Sequence, residues 1–277
     1  MKLTLDNERL RLLIPNIIHE VEGETPLFDK LLPWLTSARL WMEEFILGEF
    51  QPENGLYELA EKIIVYKAFA EAVPSLDVTL SPAGFAVINT DGRAPASKER
   101  VERIVASLSS FVDANLAVLV RELHRCLEWV ASSLGVWFRA TFIPDFTDVP
   151  GFRTDKDMLT TYKTMRGIAL EFERELEEKY LGHDFLGLLR SSFPRFEKVG
   201  ELDMFDAVRG AELRYISFHL SDRAPKCPEG HEVWHLARPI VARLNYWPEL
   251  KALWEQEMGE KIKVEPFKNT VRGGFYF

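Results

Sequence analysis

From Leu27 onward the apolar residues step by three and four: Leu27, Leu31, Leu35, Leu40, Trp41 and Phe45. That spacing lays one stripe along an α-helix. Thr25 as N-cap and Pro26 at the first helical position mark its start, Pro33 bends it, and Gly48 stops it. A second helix is predicted over 56–72, with Leu59, Ile63, Tyr66, Lys67 and Ala70 in phase and Pro74 at its end. The period then falls to two. Leu76, Val78 and Leu80 alternate, and Phe85, Val87 and Ile88 follow a Ser-Pro-Ala-Gly turn, which reads as a β-hairpin over about 76–89. After the loop NTDGRAP, Ser97 caps the longest predicted helix, over 98–134. Its stripe runs from Val101, Ile104, Leu108 and Val112 to Leu127, Val130 and Leu134, and Gly135 ends it.

The stretch WFRATFIPDFTDVPGF breaks the periodicity. Its aromatic and proline content predicts a buried linker loop and the natural boundary in the chain. A helix over 155–180 follows, and its run EFERELEEK reads as a solvated face laced by i,i+4 charge pairs. Gly182 breaks it. Shorter helices are expected near 185–192 and 202–220, and a last pattern over 230–258 is interrupted at Pro239 or Pro248. The tail KVEPFKNTVRGGFYF is expected to be extended. Its apolar end, Phe275-Tyr276-Phe277, either packs on its own domain or docks as an arm on a neighbouring subunit. The sum is a mainly α protein: a helical bundle with a long central helix and a small β-hairpin. The chain divides into 1–140, carrying the hairpin, and 141–277, a second helical subdomain with the tail; a single domain fits the same pattern.

Composition adds boundaries to this picture. The chain has 277 residues, 47% apolar and 28% charged, an ordinary globular balance. The net charge of −9 comes from acids spread among bases, which disfavours direct nucleic-acid binding. Two cysteines make no disulfide framework. Cys126 is expected to be a buried free thiol, although a Cys126–Cys227 bond stays open. The charged N-terminus lacks a signal-peptide pattern, and no apolar run reads as long enough to cross a bilayer. The expectation is a soluble, reduced protein, cytoplasmic where it is made, with no membrane partner.

One motif carries possible chemistry. HEVWH at 231–235 places His231 and His235 four residues apart, with Glu232 after the first histidine. On a helix both imidazoles share a face and could hold zinc, with Glu232 as general base and Glu255 or Glu257 as a third ligand. Against this, Pro228 and Gly230 push His231 to the edge of the helix, and Pro239 follows within a turn of His235. Cys227 with the two histidines fits no common zinc module. His19, His124, His183 and His219 are isolated, and no phosphate-binding loop or nucleophile elbow occurs. Coincidence outweighs function for the motif. No catalytic, cofactor-binding or metal residue is therefore assigned, and no cofactor is expected.

The stretch LDVTLSPAGFAVINTDGRAPASKERVERI, a hairpin ending in GFAVIN and then APASKERV opening a long helix, is the most characteristic in the chain. It resembles a family of uncharacterised proteins encoded in Bacteroides-type genomes, largely in prophage regions. The helices from Leu27 to Gly48 and from Leu56 to Pro74 resemble the same family in order and spacing. The resemblance implies a non-enzymatic virion structural protein of head-tail connector or neck type. Such a protein would assemble as a homo-oligomer on portal or tail partners and would end in the virion. A zinc-dependent hydrolase and a host helical binding module are the alternatives.

Overall fold

The computed structural model describes residues 5–14, 25–76, 78–81, 84–87, 97–152, 157–220 and 232–259. The fold is mainly α-helical. The chain forms two compact units: unit 1 is Met1–Phe138 with Asp145–Thr147, and unit 2 is Arg139–Pro144 with Asp148–Phe277.

Unit 1 contains α1 (Asn7–Leu13), α2 (Leu27–Met42), α3 (Asn54–Ala72), α4 (Lys98–Leu123), α5 (Leu127–Ala131) and α6 (Ser133–Phe138). Asp6 caps α1 by accepting the Arg9 amide at 2.7 Å. The α2 stripe resolves into Leu31, Leu35, Ala38 and Met42, all buried, which face α3. Against α3 packs α4, and Leu116, Leu119, Val120 and Leu123 are among its buried residues. Tyr66 stacks on Phe111 at 4.0 Å, and Lys62 lies over the same ring. Between α3 and α4, β1 (Val78–Ser81) and β2 (Gly84–Val87) pair antiparallel, with Val78 opposite Val87 and Leu80 opposite Phe85.

The helix predicted over 98–134 does not run through. It ends at Leu123, and α5 and α6 follow as separate short helices. The break resets the helical phase. Leu127, expected in the stripe, is 76% exposed, while Trp129 is fully buried. The Trp129 indole N–H donates to the Ile46 carbonyl at 2.8 Å, satisfying a group that the end of the α2 segment leaves over. His124 meets the Trp129 ring edge-on. At Gly135 the backbone of Trp129 and Val130 leaves no room for a Cβ.

A second expectation also changes. An 18-residue window within α4 has a mean hydropathy of 1.5, so this helix is long and apolar enough to cross a membrane by length and composition. Only 28% of that window is buried within the protein. The cause is the composition between Ile104 and Val120, where Asp113 is the single charge among Ala, Ser, Leu and Val.

Unit 2 contains α7 (Met158–Leu176), α8 (His183–Ser192), α9 (Val199–Leu220), α10 (Glu232–Arg243) and α11 (Pro248–Met258). Asp157 caps α7, accepting the Thr160 amide at 3.0 Å. Leu176, Phe185, Leu189, Met204, Val208, Ala237 and Leu244 are among the residues of one continuous core. Aromatic rings fill it: Phe142 and Phe193 each meet Phe205, at 5.1 and 5.4 Å. The last helical pattern is interrupted by a 3₁₀ turn at Leu244–Tyr246, with Pro248 opening α11, while Pro239 stays inside α10.

One helix-ending device occurs in both units. The sequences EEFILG (43–48) and EEKYLG (177–182) each continue a helix as a π turn and close on a glycine of positive φ, Gly48 at 61° and Gly182 at 86°. Each glycine amide donates back five residues, to Glu43 at 2.8 Å and to Glu177 at 3.1 Å. A side chain at these φ values would be strained, so glycine is required.

Candidate functional site

The HEVWH motif sits at a helix edge. Glu232 is the first residue of α10, so His235 falls in the first turn, and His231 and Cys227 lie outside the described residues. His235 is exposed. The candidate third ligands are engaged elsewhere. Glu257 accepts the Asp184 and Phe185 amides, both at 3.1 Å, and so caps α8. The Glu257 carboxylate also lies where a Cβ at residue 182 would point, a second reason for Gly182. Glu255 pairs with Lys251 one helical turn away, at 3.6 Å. Among the described residues no three His, Cys, Asp or Glu side chains converge as a metal site requires. Of the remaining candidates, Cys126 is a free, half-buried thiol whose pKa burial raises. His124 is buried in unit 1, His219 bonds the Tyr215 carbonyl at 2.9 Å, and His183 meets Glu177 at 2.7 Å, which raises its pKa. His19 lies outside the described residues.

The polar cluster that the structure does assemble was not legible as one. Glu173 on α7 and Glu212 on α9 are 2% and 0% exposed. Both accept the Phe142 amide, at 2.9 and 3.3 Å. Arg190 on α8 donates to Glu173 at 2.8 Å and to the Ala140 carbonyl at 3.1 Å, and reaches Glu177 at 3.4 Å. Its guanidinium also lies over the Phe142 ring. Two buried carboxyls converging on one amide disfavour both being ionised. Burial first, and then the neighbouring Glu173, hold Glu212 well above the usual carboxylate range. Burial also pushes Glu173 up, opposed by its bond to Glu212 and by Arg190. Glu212 Oε2 is the oxygen on the Phe142 amide, and Oε1 is buried without a hydrogen-bond partner. The cluster thus clamps segment 139–144 to three helices of unit 2. Its carboxyls are sealed from solvent, so its chemistry is that of a structural tie.

Two surfaces are open instead. On α4, every exposed position between Arg103 and Arg121 is uncharged: Ile104, Ala106, Ser107, Ser110, Ala114 and Val118. Ile104 and Val118 are 41% and 38% exposed. In unit 2, a recess of about 510 Å³ is floored by Trp247 and walled by Val199, Tyr246 and Leu250.

Residues 15–138 match a family described as one of unknown function, DUF6712, over less than half of the chain. The match ends at Phe138, where the main segment of unit 1 also ends. No curated protein and no solved structure matches the chain.

Proposed function

We propose that the protein is a non-enzymatic assembly component that acts through self-association and partner binding, of the head-tail connector type found in phage and prophage particles. The observation that carries the self-association is the outward face of α4. A solvent-facing helix normally carries charge, and a helix that is apolar or small on both faces is one that packs on both sides. In a chain that is 28% charged, about four turns of uncharged exposed surface favour a protein neighbour. The hairpin supports the same reading. An isolated two-stranded hairpin is marginal in water, and the outer edges of β1 and β2 offer backbone groups to another chain. The connector assignment itself rests on the sequence resemblance over 76–104.

Light scattering coupled to size-exclusion chromatography tests the proposal. The full chain is expected to give a mass of several protomers that falls on dilution. Ala114→Lys with Val118→Asp is expected to give a monomer of unchanged helicity. A wild-type chain that stays monomeric at every concentration would rule self-association out. Binding to lipid vesicles through α4 in place of self-association would reassign that face to a membrane.

A further inference from the structure

The Trp247 recess is built to receive an apolar group. Three segments form it: the start of α9, the 3₁₀ turn before α11, and the start of α11. Trp247 is held in place from two sides. Its indole N–H donates to Asp203 at 2.8 Å, and Arg243 grips the same carboxylate with two bonds of 2.7 and 2.6 Å. Its ring lies flat against Gly200, where a Cβ would approach the ring atoms to 2.9 Å. Val199 and Tyr246 stand at the mouth, 74% and 78% exposed. Large apolar side chains this open, beside a fixed indole, mark a site awaiting an occupant. A Lys198–Glu249 ion pair bridges the rim at 2.5 Å, with Glu197 and Glu201 close to Lys198.

The chain supplies a matching segment. Residues 260–277 follow directly on α11, whose first turn lines the recess. From Gly259 back along the eleven residues of α11 is roughly 16 Å at 1.5 Å per residue. An extended chain covers that in about five residues, so both Phe267 and the Phe275-Tyr276-Phe277 group can return to it. We propose that the recess is the docking site of the chain's own segment 260–277, with the aromatic group Phe275-Tyr276-Phe277 seated on Trp247. This site is independent of the α4 face and stands or falls separately from the assembly reading.

The test uses the full chain with Cys126→Ser and Cys227→Ser, carrying Val199→Cys and Tyr276→Cys. Mild oxidation is expected to give a disulfide within one chain, identified by mass spectrometry at monomer mass. A control pair with Glu58→Cys in place of Val199→Cys should not close. Equal closure of the control, or no closure of either pair, overturns the proposal. A product linked between two chains overturns it in favour of a second copy's tail. A second measurement avoids the cysteines: hydrogen exchange of the otherwise unmodified chain against Phe275→Ser with Phe277→Ser. Amides over 246–252 are expected to exchange severalfold faster in the variant, and unchanged exchange there overturns the proposal.

Discussion

The two units hold themselves together in different ways. Unit 1 is a stack of long helices joined by aliphatic stripes, and its one buried acid on those helices, Glu61, is met by Arg9 at 2.9 Å and by the Tyr57 hydroxyl at 3.3 Å. Unit 2 has a ring-filled core, and it seals in Glu173 and Glu212 with Arg190 as partner. Aliphatic stripes bury enough area along one face to fix the register of the helices they join. In unit 2 the irregular segment 139–144 leaves backbone groups to satisfy, and a buried polar clamp does this at the cost of desolvating its charges. The comparison teaches where each unit is fragile: unit 1 in its packing, unit 2 in its hydrogen bonds. It also shows where each is open, unit 1 along a helix face and unit 2 at a fixed aromatic recess.

The largest expected effect tests the clamp. Arg190→Met leaves Glu173 buried without its cation, and should cost about 3–5 kcal/mol in denaturant unfolding. Hydrogen exchange should place the loss in unit 2; a spread over both units would break the contrast. Next is Gly200→Ala, which forces a methyl against Trp247 and should cost about 1–3 kcal/mol, with a change in indole fluorescence. Third is pH. Because the folded state holds the Glu212 carboxyl protonated where the unfolded chain releases it, stability is full below about pH 4.3 and declines as pH rises above it. The decline is at most about 1.4 kcal/mol per pH unit for one proton. Glu212→Gln should keep the fold and flatten that slope in urea titrations across pH; an unchanged slope would place the proton elsewhere. Smallest is Trp129→Phe in unit 1, which removes the bond to Ile46 and should cost about 1 kcal/mol, read from the midpoint of unfolding.

The run EFERELEEK shows how far the sequence could be read. Glu175 and Lys179 do form the exposed i,i+4 pair at 3.0 Å that the charge pattern predicts. Two residues before Glu175, Glu173 is sealed inside. Nothing local separates the two, because the difference is made by Arg190, Glu212 and the Phe142 amide, which lie far along the chain. The same limit explains α4. Periodicity carries the stripe through to Leu134, but a three-residue break changes the phase, and the buried residue becomes Trp129. HEVWH is the converse case. A spacing with a known meaning needs a rigid mid-helix position, whereas α10 starts within the motif and Glu257 caps another helix.

By itself the sequence determined the mainly helical class, the glycine stops at Gly48 and Gly182, and the charged face of α7. These follow from neighbours within a turn or two, where sterics, backbone hydrogen bonding and helical period act. Only the tertiary structure decided that two buried glutamates converge on one amide, that the exposed positions of α4 between Arg103 and Arg121 are uncharged, and that Trp247 lies fixed in an open recess. Each depends on which distant residue arrives opposite, and burial, unlike helical period, is a property of the whole packed unit.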